Sequence, residues 1–413
     1  TRWARLGQRV RASGLHRSIA VRGAIALADG LRRRLRRLPS PAGGHSWSLV
    51  PVALEANEQA YSVRQPQSPS SDRPTVLHAI ANFCLGGSSR LVVDLIESLG
   101  EDFKQPVVTR YIPRPPAYLN LTLHEYAQPV SSTPFEYLID HYKPSFVHIH
   151  YWGDCDQDWY EHIFHACEVK GVPVIQNINT PIAPYASPSI RRNVYVSNYV
   201  RETFGRHDAQ GMIIHPGSDL DHFSVSDLAD QSDDCIGMVY RLETDKLNSS
   251  SIDVFIKVAQ LRPATRCLIV GDGSLKPIFE QMVAKAGVAD QFTFTGFVPY
   301  QDLPSFYRQM SLFVAPVWKE SFGQVSPFAM NMGLPIVGYS VGAIPSIIGD
   351  EKLLAQYGDS DGLARLIIAL LDDRPRRLEI GRKNHDKAQN EYSVAAMIKG
   401  YSELYASMGS GGL

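Results

Sequence analysis

The chain has 413 residues, which is long for one domain and enough for two domains that each bury a core of their own. Apolar residues make up 44% of it and the formal net charge is −1, so the composition indicates a soluble globular protein and excludes one that binds nucleic acid through an overall positive charge. No apolar run approaches the length of a membrane span, and the 5 cysteines are scattered without CxxC spacing, which predicts reduced thiols in the cytosol.

Positive charge is concentrated at the start of the chain. Residues 1–38 alternate arginine with apolar residues at helical spacing, and Asp29 is their single acid. Such a basic amphipathic helix fits an anionic membrane surface or an adjacent domain, and it fits a solvated connector equally well. We therefore expect a cytoplasmic protein, with peripheral binding at the inner membrane face as one open alternative. Residues 39–73 are rich in proline, serine, glycine and glutamine and predict a linker.

From residue 74 onward, short β-rich runs alternate with segments of helical length, a βαβ pattern that predicts mostly parallel sheets. The pattern restarts at Cys235, so we predict two doubly wound α/β domains, residues 74–215 and 216–392. A C-terminal helix at 393–408 is predicted to pack back toward the first domain. The predicted strands lie at residues 75–80, 106–109, 146–150, 173–178, 193–196 and 212–215, and then at 235–240, 267–270, 292–294, 312–315 and 336–338.

One loop in the first domain is rich in glycine. In open α/β sheets, ligands bind at the loops that follow the carboxyl ends of the strands. Gly86 and Gly87 lie in such a loop, between the strand that ends at Ile80 and a helix predicted over residues 90–99. Glycines there allow the backbone to approach a phosphate closely, but a Gly-Gly pair is also common in plain loops, and both interpretations stay open.

A second loop of this kind follows the first strand of the second domain and carries Arg241 and Lys246. Two cations in one loop can converge on a diphosphate, Arg through a bidentate contact and Lys as a point charge. Taken singly, both are also ordinary exposed cations. Further loops place Gly273 in a tight Gly-Asp-Gly turn, and place Phe297 and Val298 where an aromatic ring and backbone groups could frame a flat base.

Glu320 stands just ahead of Ser321, Phe322 and Gly323, a turn that opens a predicted helix at Gln324. The backbone N–H groups at a helix start are unpaired donors that face an anion, and the acid beside them can accept hydrogen bonds from sugar hydroxyls. This arrangement suits a site that binds a sugar together with its phosphate. An ordinary N-capped helix with a surface acid fits the same residues.

Two short patterns raise the question of a metal site. Asp154, Cys155 and Asp156 form a DxD sequence, but without the surroundings of a metal-holding loop. His148 and His150 are two apart on a predicted strand, so their side chains point to the same face. Because no third ligand stands near them in the sequence, we expect them to be packed or pocket-lining, and we predict no metal.

In chain order, these pieces resemble the retaining GT-B glycosyltransferases of the GT4 type, over about residues 75–408. The matching features are Gly86-Gly87-Ser-Ser-Arg, Val147-His-Ile-His150, Tyr195-Val-Ser-Asn, His215-Pro-Gly-Ser-Asp, Arg241 with Lys246, Val270-Gly-Asp-Gly273, Gly296-Phe-Val-Pro299 and Glu320-Ser-Phe-Gly323. The resemblance implies two Rossmann-like domains that face each other across a cleft. It also implies transfer of a sugar from a nucleoside diphosphate donor to a glycan or lipid-linked acceptor in surface polysaccharide synthesis, without cofactor or metal. In that setting, residues 1–38 would contact a membrane or an adjacent transferase domain.

The same resemblance assigns roles to residues. Arg241 and Lys246 would hold the diphosphate, and Glu320 would bind hydroxyls of the donor sugar. Attack on the front face, with the departing phosphate helping to deprotonate the acceptor, would retain the anomeric configuration. The other donor-binding positions that it implies are Gly86, Gly87, Gly273, Phe297, Val298, Ser321, Phe322, Gly323 and Gln324.

Two positions depart from the family pattern. Phe328 stands where the family has a second acid for the ribose hydroxyls, so donor binding should weaken by about 1.5–3 kcal/mol and Phe328→Glu should tighten it. Where members present a His toward the reacting sugar, this chain has Asn177 and Asn179. We predict that Asn177 contacts the sugar and that His150 substitutes as a catalytic group. The departures support an alternative function, a catalytically degenerate GT-B module that acts as a scaffold or a glycan-binding partner.

Overall fold

The computed structural model describes residues 60–67, 70–153, 156–225 and 234–409. Two large parallel β-sheets, with helices in many of the connections between strands, and one small sheet of two short strands form this part of the chain. This confirms the predicted α/β architecture. The predicted basic helix at 1–38, most of the predicted linker, and Asp154 and Cys155 lie outside these residues. No helix within the described ranges is long and apolar enough to cross a bilayer.

The first sheet lies in the amino-terminal half. The strands of this half are β1 (Tyr61–Ser62), β2 (Val76–Asn82), β3 (Val107–Tyr111), β4 (Tyr118–Leu119), β5 (Leu123–Glu125), β6 (Phe146–Tyr151), β7 (Val174–Ile178), β8 (Ile190–Tyr195) and β9 (Met212–Ile213). The helices are α1 (Gly87–Leu99), α2 (Thr133–Tyr142), α3 (Gln157–Lys170) and α4 (Asn198–Phe204). Seven strands pair in the order β5-β3-β2-β6-β7-β8-β9. The order reverses between β2 and β6, which places a ligand crevice at their carboxyl ends, next to the Gly86 loop.

The central strands of the first sheet are buried on both faces, which is why their sequences read as apolar runs. Their parallel register places His78 of β2 beside His148 of β6. His150 in turn pairs with Asn177 of β7. The sheet thus gathers polar side chains from three neighbouring strands within the first domain.

The second sheet repeats this arrangement. Its strands are β10 (Cys235–Val239), β11 (Arg266–Val270), β12 (Phe292–Phe294), β13 (Leu312–Ala315), β14 (Ile336–Tyr339) and β15 (Leu354–Ala355). The helices are α5 (Ser249–Leu261), α6 (Lys276–Lys285), α7 (Leu303–Tyr307), α8 (Val325–Asn331), α9 (Ile344–Ile348), α10 (Ser360–Leu371) and α11 (Arg374–Lys387), with short 3₁₀ turns at Ala289–Gln291, Tyr300–Asp302 and Glu351–Leu353. The strand order is β12-β11-β10-β13-β14-β15, so the reversal lies between β10 and β13.

The chain returns to the first domain at its end. A π-helical segment, Ala388–Tyr392, leads from α11 into helix α12 (Val394–Gly409), which corresponds to the predicted C-terminal helix. Ser393 pairs with Ser218 in an isolated parallel bridge, so the two passages between the domains lie side by side. The apolar face of α12 packs on the first domain through Met397, Tyr401, Leu404 and Tyr405, against Val76, Leu91, Leu95 and Phe146.

The described part of the predicted linker contains a short strand. Strand β1 pairs in parallel with β4 through Tyr61 and Tyr118, and Val63 is buried in the same cluster. A strand of two residues is too short to show an alternating pattern, and its partner lies more than 50 residues away, so composition alone indicated a linker here.

Candidate active site

A pocket with a volume of about 190 Å³ opens at the carboxyl end of β10. It lies at the reversal of the second sheet, where ligands of open α/β sheets bind. The pocket joins the loop after β10 to the turn before α8. Its lining residues are Tyr240, Arg241, Asp245, Lys246, Gly323, Gln324 and Val325.

A buried ion pair lies beside this pocket. The Lys246 Nζ atom donates to both carboxylate oxygens of Glu320, at 2.8 and 2.9 Å. The Ser321 N–H adds a third hydrogen bond at 3.1 Å. Glu320 is only 2% exposed, whereas the Lys246 side chain is 37% exposed, so the lysine connects the buried carboxylate to the pocket. A buried carboxylate needs such partners, because an unpaired charge in the interior is strongly destabilising.

Gly323 allows the turn to close over Glu320. Its φ of +79° lies in the left-handed region, and an added Cβ would approach the Glu320 Cγ atom to 2.9 Å. A side chain at this position would therefore push Glu320 away from Lys246. Since the Ser321 N–H donates to Glu320 itself, it is not free for a phosphate, and this contradicts its predicted role as an anion donor.

Arg241 lies at the mouth of the pocket. Its side chain is 75% exposed and makes an ion pair of 2.9 Å with Asp245 in the same loop. Arg241 and Lys246 thus line the same pocket, one at the rim and one inside. Asp245 was not among the predicted site residues, because a single acid in a loop of mixed charge carries no pattern of its own.

The first domain reaches the same turn from the other side. Gly86 caps α1, and a Cβ added to Gly87 would lie 3.8 Å from the Gln324 Oε1 atom. Ser197, at the start of α4, donates from Oγ to the Ser321 carbonyl at 2.6 Å. Gly87 therefore lies close to this turn, and the phosphate contact of Gly86 and Gly87 stays a prediction. The sequence assigned no role to Ser197.

Phe322 serves as a packing residue. Its ring stacks on His215 at a centroid distance of 5.5 Å and meets Tyr392 edge-on. The side chain is buried, so only its backbone can contribute to donor binding.

The remaining predicted donor loops lie at the same edge of the second sheet, outside the lining of the pocket. Gly273 has a φ of +152°, and an added Cβ would collide with the Leu242 carbonyl, so the tight turn requires glycine. Phe297 is 77% exposed, and Val298 packs partly against the core. An exposed aromatic ring at this edge is available to stack on a flat ligand.

Phe328, at the position of the expected second acid, lies inside the second domain. It is 6% exposed and stacks on Phe223 with 3.9 Å between ring centroids and 10° between planes. Tyr300 meets its edge at 6.2 Å. A glutamate here would lose the stack and bury a charge, so the expected gain in donor binding from Phe328→Glu does not follow from the structure.

His150 and Asn177 do not line the pocket. Both are fully buried, and burial lowers the pKa of His150 well below its ordinary value. The His150 Nε2 atom lies 3.2 Å from the His78 Nδ1 atom, and the Asn177 Oδ1 atom accepts a hydrogen bond of 2.6 Å from the Tyr401 hydroxyl. This placement contradicts the predicted catalytic role of His150 and the predicted sugar contact of Asn177. The alternation of side chains along a strand predicts which face of the sheet these residues lie on, but it does not predict that helix α12 covers this face.

The two domains, each built on a parallel sheet, together form the GT-B fold of two Rossmann-like domains. The structure resembles a glycosyltransferase from Rickettsia africae with a TM-score of 0.68 at 15% identity, over 83% of this chain and 100% of that one. It resembles Anabaena HepE in complex with UDP with a TM-score of 0.67 at 15% identity, over 81% of this chain and 100% of that one. At this identity the likeness establishes the fold alone.

A family match lies in the second domain. Residues 221–387 match the model of the glycosyl transferases group 1. It is 30% identical to the 2-deoxystreptamine glucosyltransferase of Streptomyces kanamyceticus over 38% of this chain and 42% of that protein. It is 26% identical to the lipopolysaccharide core biosynthesis mannosyltransferase LpsB of Rhizobium meliloti over 42% of this chain and 51% of that protein. The match thus spans about half of these relatives or less.

Proposed function

We propose that this chain is a retaining hexosyltransferase of the GT4 type. It would move a sugar from a nucleoside diphosphate donor to a glycan or lipid-linked acceptor in surface polysaccharide synthesis. The observation that carries the proposal is that Arg241 and Lys246 line one pocket at the reversal of the second sheet, and that Lys246 pairs there with the buried Glu320. The solved complexes of HepE with UDP and with UDP-glucose, and the named role of LpsB in lipopolysaccharide core synthesis, support a nucleotide-sugar donor and a glycan acceptor.

The two cations suit a departing diphosphate. When the bond to the sugar breaks, negative charge grows on the phosphate, and groups already positioned there lower the barrier. Lys246 has three protons, so it can contact a phosphate while it keeps one bond to Glu320. Arg241, at the rim, can leave Asp245 for a bidentate phosphate contact, because exposed ion pairs contribute only about 0–1 kcal/mol.

Glu320 suits the donor sugar. An ionised carboxylate has about four acceptor sites, and the contacts from Lys246 and Ser321 use three of them. A sugar hydroxyl can take the remaining site, or it can replace one bond of Lys246 as the lysine turns to the phosphate. The scheme requires no metal, because Arg241 and Lys246 supply the positive charge. The arginine-rich segment 1–38 would bring the protein to a membrane-bound acceptor or an adjacent transferase domain.

The alternative is a catalytically degenerate module that scaffolds a partner or binds a glycan. The observation that favours it is Phe328, whose ring occupies an aromatic stack where a second acid is expected. The two functions differ in nucleotide binding, which a scaffold has no need to retain.

Thermal melting of the full chain with UDP, GDP and dTDP separates them. A transferase with ligand at 100 times its dissociation constant should gain about 2.7 kcal/mol in unfolding free energy. Lys246→Ala should abolish most of this gain. Lys383→Ala, which removes an exposed lysine of the second domain, should retain it. If none of the three nucleotides gives a saturable shift, the transferase assignment fails and the scaffold stands.

A further inference from the structure

Three histidines meet inside the first domain, outside the sugar-transfer pocket. They are His78 of β2 and His148 and His150 of β6, and all three are fully buried. One ring nitrogen from each lies within 4.8 Å of the other two. The sequence indicated only the last two, because His78 is 70 residues away and reaches them through the β2–β6 register.

The outer nitrogen of His78 is fixed by a protein partner. The His78 Nε2 atom lies 3.1 Å from the Gln105 Oε1 atom, while the Gln105 amide nitrogen donates to the Leu95 carbonyl at 3.1 Å. The second bond orients the amide, so its oxygen faces the ring and the His78 Nε2–H donates. In a neutral imidazole this leaves the Nδ1 lone pair directed at the other two histidines.

One nitrogen of His148 also has a hydrogen-bond partner, a hydroxyl that can accept from its N–H. Its Nδ1 atom lies 2.7 Å from the Tyr405 hydroxyl of α12. Among the described residues, the His148 Nε2 and His150 Nδ1 atoms are buried without any hydrogen-bond partner. Buried polar atoms normally have a partner, because burial without one is costly. The unpartnered His148 Nε2 atom is therefore available to a ligand, whereas His150 approaches His78 through its other nitrogen, Nε2.

Burial disfavours the charged form of all three rings. Burial lowers the pKa of His78 to about 4, and it lowers the pKa of His148 and His150 well below the ordinary value. Neutral imidazole is the form that binds metals, and a cluster without its own positive charge does not repel a cation.

We propose that His78, His148 and His150 together bind one divalent transition-metal ion of the zinc class, at a structural site separate from the transfer reaction. Zn–N bonds of about 2.0–2.1 Å in a tetrahedral site place ligand nitrogens about 3.3 Å apart. The His78 Nδ1 and His150 Nε2 atoms are 3.2 Å apart, and the remaining separations need to close by at most about 1.5 Å. A water completes the four positions.

Gln105 and Tyr405 act as the outer partners that orient the ligands. Metal-bound histidines usually donate their second nitrogen to such a group, which fixes the ring and its tautomer. Because Tyr405 lies on α12, the site would also fasten the C-terminal helix to the first domain. The proposal goes beyond sugar transfer and does not depend on it.

The test uses the full chain without an affinity tag. Purified protein, expressed with zinc in the medium, should contain about one zinc per chain by elemental mass spectrometry. After removal of the metal, added Zn²⁺ should raise the melting temperature until about one equivalent is bound, and Co²⁺ should give the visible bands of a tetrahedral site. A metal-free wild type whose melting neither ion changes would overturn the proposal.

Variants locate the site. His148→Gln should abolish the cobalt bands and the zinc-dependent shift, whereas His207→Gln, at an exposed histidine, should leave both unchanged. Where His148→Gln does not fold, Tyr405→Phe removes an outer partner and keeps all three ligands, and it should weaken metal binding by about 10–100-fold. Metal binding that is unchanged in Tyr405→Phe, or that persists in His148→Gln, would overturn the assignment.

Discussion

Replacing Lys246 with methionine keeps most of the side-chain stem but removes the cation that neutralises Glu320. The carboxylate, 2% exposed, would keep the Ser321 N–H as its donor. Breaking a fully buried ion pair costs about 3–5 kcal/mol, whereas an exposed pair contributes about 0–1 kcal/mol. Because the Lys246 side chain is 37% exposed, we expect a loss of unfolding free energy between these limits, about 2 kcal/mol.

Thermal melting of the full chain measures this loss. For a domain of about 150–250 residues, 2 kcal/mol corresponds to a fall in melting temperature of roughly 4–8 °C. The double variant Lys246→Met with Glu320→Gln should recover part of the loss, since no buried charge is left unpaired. Lys383→Met, which breaks the exposed pair with Glu379, is the matched control and should melt like the wild type. Equal melting of Lys246→Met and wild type would refute the view that this lysine stabilises the buried carboxylate.

Arg241→Ala should weaken nucleoside diphosphate binding by one to two decades in titration calorimetry, since a charged contact contributes about 1.5–3 kcal/mol. Glu320→Gln should lower kcat with the sugar nucleotide but should change the affinity for the free nucleoside diphosphate little, because the proposed partner of Glu320 is the sugar. Phe328→Glu should destabilise the protein by about 3 kcal/mol or more in thermal melts, since it removes the ring stacked on Phe223 and buries a charge. Burial lowers the pKa of His124 to about 4, so between about pH 6.5 and pH 4 the unfolded chain binds more protons than the folded one. The unfolding free energy, measured with urea, should therefore fall as the pH drops through this window, and His124→Gln should make the fall less steep.

Matched variants at exposed positions serve as controls. Arg206→Ala, Glu379→Gln and His207→Gln change the same residue types at exposed positions and should behave like the wild type. Unchanged diphosphate affinity in Arg241→Ala would show that the phosphate lies elsewhere. Tighter donor binding in a stable Phe328→Glu protein would support the sequence-based expectation that an acid at this position binds the ribose. An unchanged pH dependence of stability in His124→Gln would show that this histidine does not cause the loss of stability in acid.

The two sheets could be predicted because a parallel strand buried on both faces is a short continuous apolar run. Strand β6 is such a run apart from its histidines, and β13 is entirely apolar. The two-residue strands β1 and β15 are too short to carry a pattern and were not predicted, whereas the equally short β9 lies within the run predicted at 212–215. The strand with which each of them pairs is determined by the tertiary fold and not by the local sequence.

The pocket could be predicted in part, because loops after parallel strands meet at one edge of the sheet. By this rule the sequence placed Arg241, Lys246 and Glu320 at one edge of the second sheet, where Arg241 and Lys246 line the pocket and Glu320 pairs with Lys246. The ion pair between Lys246 and Glu320 could not be predicted, since the two residues are 74 apart in the sequence and meet only because β10 and β13 pair. The role of His150 was wrong for a similar reason, because only the folded chain shows that α12 covers that face of the sheet.

The parallel bridge between Ser218 and Ser393 holds both passages between the domains at one point. Two connections fastened together resist sliding of one domain over the other and leave rotation about that point as the softest movement. Such a rotation displaces atoms in proportion to their distance from the axis. Entry of a bulky acceptor should therefore separate the parts of the crevice that lie far from this bridge much more than the parts close to it.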